Sequence, residues 1–203
     1  MEDYMFASKN LTAGELNAIV KKLGGEEGAR KLLRGELIVS EAVSILFGRL
    51  KKVVPNILLE STKHLNTRNF FKTKSEGGIF AGVDNDIFNW FGTEIHNSPV
   101  KELASYEFTE SIAEENIVGD AKVNNIYEEV DFAHIKQVCE RHILKGEKLL
   151  EESGKANLFW VQNKRGELCE VDVWLHDDGW YVNVDKFNAR REWRAGNRSF
   201  FRN

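Results

Sequence analysis

The sequence predicts an α+β protein with a helical amino-terminal module and a small antiparallel carboxyl-terminal sheet packed against a helix. Three observations predict it. Apolar residues recur at helical spacing before Pro55, they do so again between Asp131 and Glu152, and after Gly154 the period shortens to two. The chain divides on this reading into a helical module (1–60), a mixed middle region (61–130), and a helix with sheet and arginine-rich tail (131–203).

Thr12 and Glu15 have capping-box spacing at the entrance to a helix over Glu15–Leu23, whose Leu16, Ile19, Val20 and Leu23 share a face. Gly24-Gly25 breaks it. A second short helix over Glu26–Arg34 is closed by Gly35, and a third over Ser40–Lys52 carries Val43, Leu46, Phe47 and Leu50 and stops short of Pro55. Lysines and arginines along these segments suit the phosphate contacts of a helix-turn-helix module, and equally the solvated faces of amphipathic helices.

From Ser61 to Asn97 periodicity is poor, and Gly77, Gly78, Gly82 and Gly92 punctuate aromatic clusters, which predicts packed loops or short strands. Asp84 and Asp86 read as a turn, since the glycine and glutamate of an EF-hand are missing. Ser98-Pro99 reads as a helix start, with Phe108-Thr109 an alternative. Asp131–Glu152 is the strongest long helix, with Ile135, Val138, Cys139, His142, Ile143, Leu149 and Leu150 inward. Its His134, Cys139 and His142 raise the question of zinc. The two histidines, eight apart, can share one face, but Cys139 points elsewhere, and a tetrahedral site would need a further ligand such as His96, His176 or Cys169. No metal or cofactor site is therefore expected.

At the carboxyl end, four-residue loops over Asn163–Gly166 and His176–Gly179 would connect three antiparallel strands. They would pair Gln162 with Glu167 and Leu175 with Trp180, aligning Phe159, Glu170 and Asp185 in one row and Asn157, Asp172 and Asn183 in the next. One face would then bury Leu158, Trp160, Val171, Val173, Trp180, Val182 and Val184, while the other displays acids. Like charges at Glu170 and Asp185 need a cation, a shared proton or an arginine to offset them. Glu170, Asp172 and Asp185 are accordingly the candidate catalytic residues, as a carboxylate cluster in a metal-dependent hydrolase or nuclease. Salt bridging by Arg190, Arg191 or Arg198, favoured by the abundance of nearby arginines, is the leading reading of the pair, and the hydrolytic cluster is the alternative. Arg190, Arg191, Trp193, Arg194 and Arg198 mix guanidinium groups with an aromatic ring, a composition suited to nucleic acid or to another partner.

Apolar residues make up 42% of the 203-residue chain, enough for a substantial core. The net charge of −4 conceals a basic segment up to residue 75, an acidic one over 76–160 and a near-neutral end, which permits a nucleic-acid surface or simply a dipolar domain. Cys139 and Cys169 cannot form a disulfide framework, the first ten residues lack a signal-peptide pattern, and no apolar run approaches the roughly 18 residues of a membrane span. A cytoplasmic location without membrane association is expected.

The stretch from Gly154-Lys155-Ala156-Asn157-Leu158-Phe159-Trp160-Val161 through Trp180-Tyr181-Val182-Asn183-Val184 to the end, Trp193-Arg194-Ala195-Gly196-Asn197-Arg198-Ser199-Phe200-Phe201-Arg202-Asn203, resembles a family of uncharacterised bacterial proteins with a Trp-rich carboxyl-terminal strand module. Leu11-Thr12-Ala13-Gly14-Glu15-Leu16-Asn17-Ala18 is similar to their amino-terminal segment. The resemblance implies an architecture and no activity. A cytoplasmic binding or structural-interaction protein, associating with a protein partner or with itself, is the function expected. Nucleic-acid binding and metal-dependent hydrolysis are the alternatives.

Overall fold

A computed structural model describes residues 49–203, together with Thr12, Asn17, Val20, Gly25, Ala29 and Arg30. The chain separates into two units, Met1–Gly48 and Arg49–Asn203. Within the first, Asn17 and Val20 are helical, as are Ala29 and Arg30. Gly25, at φ +83°, donates its N–H to the Val20 carbonyl at 2.8 Å, a bond that closes the end of a helical turn. The rest of the expected amino-terminal helices, up to Gly48, lies outside the described residues.

The second unit corrects the predicted fold. Its centre is a seven-stranded mixed sheet that runs through most of the chain, from Leu50 to Arg202, instead of a small sheet confined to the carboxyl end. The strands are β1 (Leu50–Leu59), β3 (Phe80–Val83), β5 (Lys101–Phe108), β7 (Asn157–Gln162), β8 (Leu168–His176), β9 (Gly179–Lys186) and β11 (Arg198–Arg202), in the spatial order β1-β5-β11-β7-β8-β9-β3. The ribbon of β2 (Thr62–Asn66) with β4 (Glu94–Ser98), and that of β6 (Ile112–Ala113) with β10 (Glu192–Trp193), complete the strands among the described residues.

Several expected helices are strands for local reasons. Leu50–Leu59 is extended where the Ser40–Lys52 stripe was expected to end as helix. Pro55 and Asn56, the latter at φ +56°, sit at a register shift, which an edge strand tolerates because its outer N–H groups need no ladder partner. Ser98 ends β4 and Lys101 begins β5, so Ser98-Pro99 is a strand connection and not a helix start. The helix after Phe108 comes later than expected, as α2 (Glu114–Val123), following the one-turn α1 (Thr67–Phe70). The long helix is halved. Asp131 caps α3 (Phe132–Cys139), accepting from the N–H groups of Ala133 and His134, and a π-helical turn over Glu140–Leu144 ends before Gly146 at φ +74°.

The tail is the largest correction. β11 is inserted between β5, to which it runs antiparallel, and β7, to which it runs parallel. Alternation sends Phe200 into one core and Phe201 into the other, both at 0% exposure. The sheet therefore has helical cover on both faces. Phe132, Ile135 and Val138 of α3 pack with Phe159, Val171, Val173 and Val182 on one side. Ile117, Val118 and Ala121 of α2 pack with Leu158, Trp160 and Phe201 on the other.

That two-sided burial follows from the first hairpin. Gln162 pairs with Leu168, one residue beyond the expected partner, because Lys164-Arg165-Gly166 forms a three-residue loop with Gly166 at φ +74°. Asn163 fixes it: its Oδ1 accepts from the N–H groups of Arg165 and Glu167, and its backbone N–H donates to the Glu167 carbonyl. The one-residue shift turns Leu158 and Trp160 to the acid-bearing face and leaves Phe159 with the valines. In the second hairpin Leu175 pairs with Trp180 and Glu170 with Asp185, as expected.

Candidate metal centre and carboxylate cluster

Within the β2–β4 ribbon, His64 lies opposite His96 and Asn66 opposite Glu94. Leu65 and Ile95 alternate inward and pack on the core, so the four polar side chains share the outer face. The ribbon is anchored at its end by the N–H of Thr67 donating to the Thr93 carbonyl and by Thr67 Oγ1 donating to the Gly92 carbonyl.

One donor atom from each of His64, Glu94 and His96 lies within 4.8 Å of the other two, and all three residues are exposed. His64 Nε2 bonds Glu94 Oε2, the two imidazole centroids are 5.1 Å apart, and Asn66 Nδ2 donates to Glu94 Oε1 at 2.6 Å. Two imidazoles and one carboxylate are a donor set used by catalytic zinc centres. Asn66 occupies one carboxylate oxygen and leaves the other turned to the histidines, the part an outer-sphere residue plays around a metal. Tetrahedral zinc separates its nitrogen and oxygen donors by about 3.3 Å. Since the donor atoms lie within 4.8 Å of one another, closing to that spacing takes a shift of at most about 1.5 Å.

The sequence-predicted carboxylates are brought together, but around an arginine. Arg191 Nη1 lies 3.0 Å from Glu170 Oε2 and 2.8 Å from Asp185 Oδ2, and its Nε lies 3.5 Å from Glu114. Glu114 at 0% and Glu170 at 1% exposure are fully buried. Burial, with Asp172 and Glu114 nearby, holds the Glu170 carboxyl well above the usual range, and burial also raises Glu114. Asp172, whose bond from Asn183 is 3.4 Å long, is pushed up by burial to about 6. Glu170 Oε1 has no hydrogen-bond partner. A guanidinium thus fills the space between Glu170 and Asp185 where a hydrolytic cation would have to sit.

Of the other predicted binding residues, Trp193 joins this cluster through Glu114 and the arginines spread apart. Trp193 Nε1 donates to Glu114 at 3.1 Å, Arg198 pairs with Glu107 at 3.6 Å, and Arg190 and Arg194 are exposed. The zinc question raised along the 131–152 helix resolves into three separate environments. Cys139 is buried, and burial drives its thiol pKa upward. His142 Nδ1 accepts from the N–H groups of Leu149 and Leu150, and burial lowers its pKa.

His134 belongs to a Ser98–His134–Asp131 array with the membership of a nucleophilic triad. Ser98 Oγ is 3.2 Å from His134 Nε2, and Asp131 Oδ1 is 3.0 Å from Nδ1. The Pro99 carbonyl is nearer to Nε2, at 2.9 Å, and can only accept, so Nε2 carries a hydrogen and has no lone pair for a serine proton. With Ser98 at 3% and His134 at 1% exposure, the array ties the β4–β5 connection to the start of α3.

The His64–Glu94–His96 centre escapes sequence reading because its members are brought together by a ribbon whose strands are separated by 27 intervening residues, 67–93. Spacing alone offers His96 only as a distant ligand for the helix. No helix among the described residues is long and apolar enough to cross a membrane. No protein-family model, curated protein or solved structure matches this chain.

Proposed function

We propose that this protein is a metal-dependent hydrolase that binds a divalent transition ion of the zinc type through His64, Glu94 and His96. The convergence of these three donors on the outer face of one anchored ribbon carries the reading. His64, Glu94 and His96 would hold the ion and, as three protein ligands, would leave it room to activate a water and polarise an acyl or phosphoryl centre toward hydrolysis. Glu170 and Asp185 have no part in this chemistry, since Arg191 neutralises them.

The test is hydrolysis of bis(p-nitrophenyl) phosphate and p-nitrophenyl acetate by the full chain with one equivalent of zinc. Turnover that disappears with chelator and in His96→Ala, but survives in Asp185→Asn, supports the reading. Turnover indifferent to His96 or to zinc overturns it.

A further inference from the structure

We infer that the face built around the π-helical turn Ile87–Phe91 binds single-stranded nucleic acid. Two cavities flank this turn. One, of about 260 Å³, is walled by Trp90 and by Lys164, Arg165 and Lys186; the other, of about 500 Å³, is walled by Phe88 and by Arg68 and Lys72. The two hold five cations against two acids, Glu167 and Glu76. Lys186 pairs with Glu167 at 3.5 Å, while Arg68, Lys72, Lys164 and Arg165 make no ion pair among the described residues. Glu76 is already held by Thr73, whose N–H and hydroxyl both bond its carboxylate.

The chemistry is that of a strand with its bases unstacked. Trp90 and Phe88 are half-buried, fixed in place by the turn, and already carry cations over their rings: Lys186 at 5.9 Å from the Trp90 centroid and Arg68 at 4.3 Å from that of Phe88. A ring with a cation beside it offers a stacking surface for a base and a counter-charge for its phosphate. Lys164 and Arg165 project from the exposed tip of the β7–β8 loop, where they can follow a flexible backbone. In the tail Arg191, Arg198 and Arg202 are spent on Glu170, Glu107 and Glu128, leaving Arg190 and Arg194, whereas four of the five cations here make no ion pair among the described residues.

The turn and the metal ribbon are continuous in the chain. Arg68 follows β2 and Phe91 precedes β4. If the proposed hydrolase reading holds, its substrate is then a single strand, but the binding inference stands without it.

The experiment is fluorescence anisotropy of a labelled oligo(dT) and an oligo(U) with the full chain in EDTA, so that a failure of the metal site leaves it unaffected. Binding at low salt should weaken at least tenfold in Lys164→Glu/Arg165→Glu, with the salt slope reduced by about 1.4 for two lost phosphate contacts. Trp90→Ala should weaken binding at an unchanged salt slope, and Arg190→Glu should leave affinity within twofold. Absence of binding at low salt, indifference to the loop variant, or equal affinity for heparin would overturn the inference. Because the loop residues are exposed, that variant tests charge without testing the fold.

Discussion

The Arg191 guanidinium lies 3.0 Å from the carboxylate of Glu170, a side chain only 1% exposed. Removing the arginine takes the counter-charge from buried carboxyls that burial already biases toward the protonated form, and leaves their oxygens without that donor. Because Arg191 is itself 29% exposed, Arg191→Met should cost about 1–3 kcal/mol of stability at pH 7 by urea denaturation, less than a fully buried pair would. The loss should be smaller at pH 5, since protonation of the raised carboxyls becomes easier as the pH falls. An equal loss at both pH values would contradict a charged cluster.

Asp172 makes a pH-dependent contribution of definite sign. Its folded pKa, about 6, exceeds the 3.9 of an unfolded aspartate, so the folded state binds the proton more tightly. Its stabilisation is complete below about pH 4 and is lost as the pH rises through 6. Asp172→Asn should therefore gain about 1–3 kcal/mol relative to the native chain between pH 4 and pH 7. Denaturation curves at the two pH values check this.

Gly78 tolerates no side chain. A Cβ there would sit 2.1 Å from the backbone carbonyl oxygen of Lys72, an atom that cannot swing away as a side chain would. Gly78→Ala should cost about 2 kcal/mol or more, seen as a lowered thermal midpoint, and should weaken the Lys72 side of the proposed nucleic-acid face. Gly166→Ala, strained only by its positive φ and free of contacts, should cost less, about 1 kcal/mol.

Ser98 should not react with a fluorophosphonate probe. Its histidine directs a hydrogen at the Pro99 carbonyl, and both side chains are buried. Stoichiometric labelling of Ser98, located by peptide mass spectrometry, would refute the structural role given to this array.

Much of the β8–β9 hairpin was legible because Val171, Val173, Val182 and Val184 alternate and His176-Asp-Asp-Gly179 admits a short turn. The first hairpin was misread by one residue, since Gly166 in a left-handed conformation makes a three-residue loop where simple counting allows four. Long-range order was less accessible. Nothing local tells Phe200 and Phe201 that they will enter a sheet between β5 and β7, and stretches such as Leu103–Tyr106, buried at successive residues, show no alternation because both faces are covered. The Glu170–Asp185 pairing could be read from spacing within one hairpin. The His64–Glu94–His96 centre could not, because it depends on a pairing across an aromatic-rich excursion with no period.

The most direct measurement is calorimetric titration of the full chain with zinc, alongside His64→Ala, His96→Ala, Asn66→Ala and His176→Ala. The account predicts one zinc per chain in the native protein. It predicts a 10–100-fold weakening in Asn66→Ala, a larger one in each ligand variant, and no change in His176→Ala, whose ring bonds Asp178 in the β8–β9 turn. Zinc binding that persists in both His64→Ala and His96→Ala, or no binding by the native chain, would contradict it.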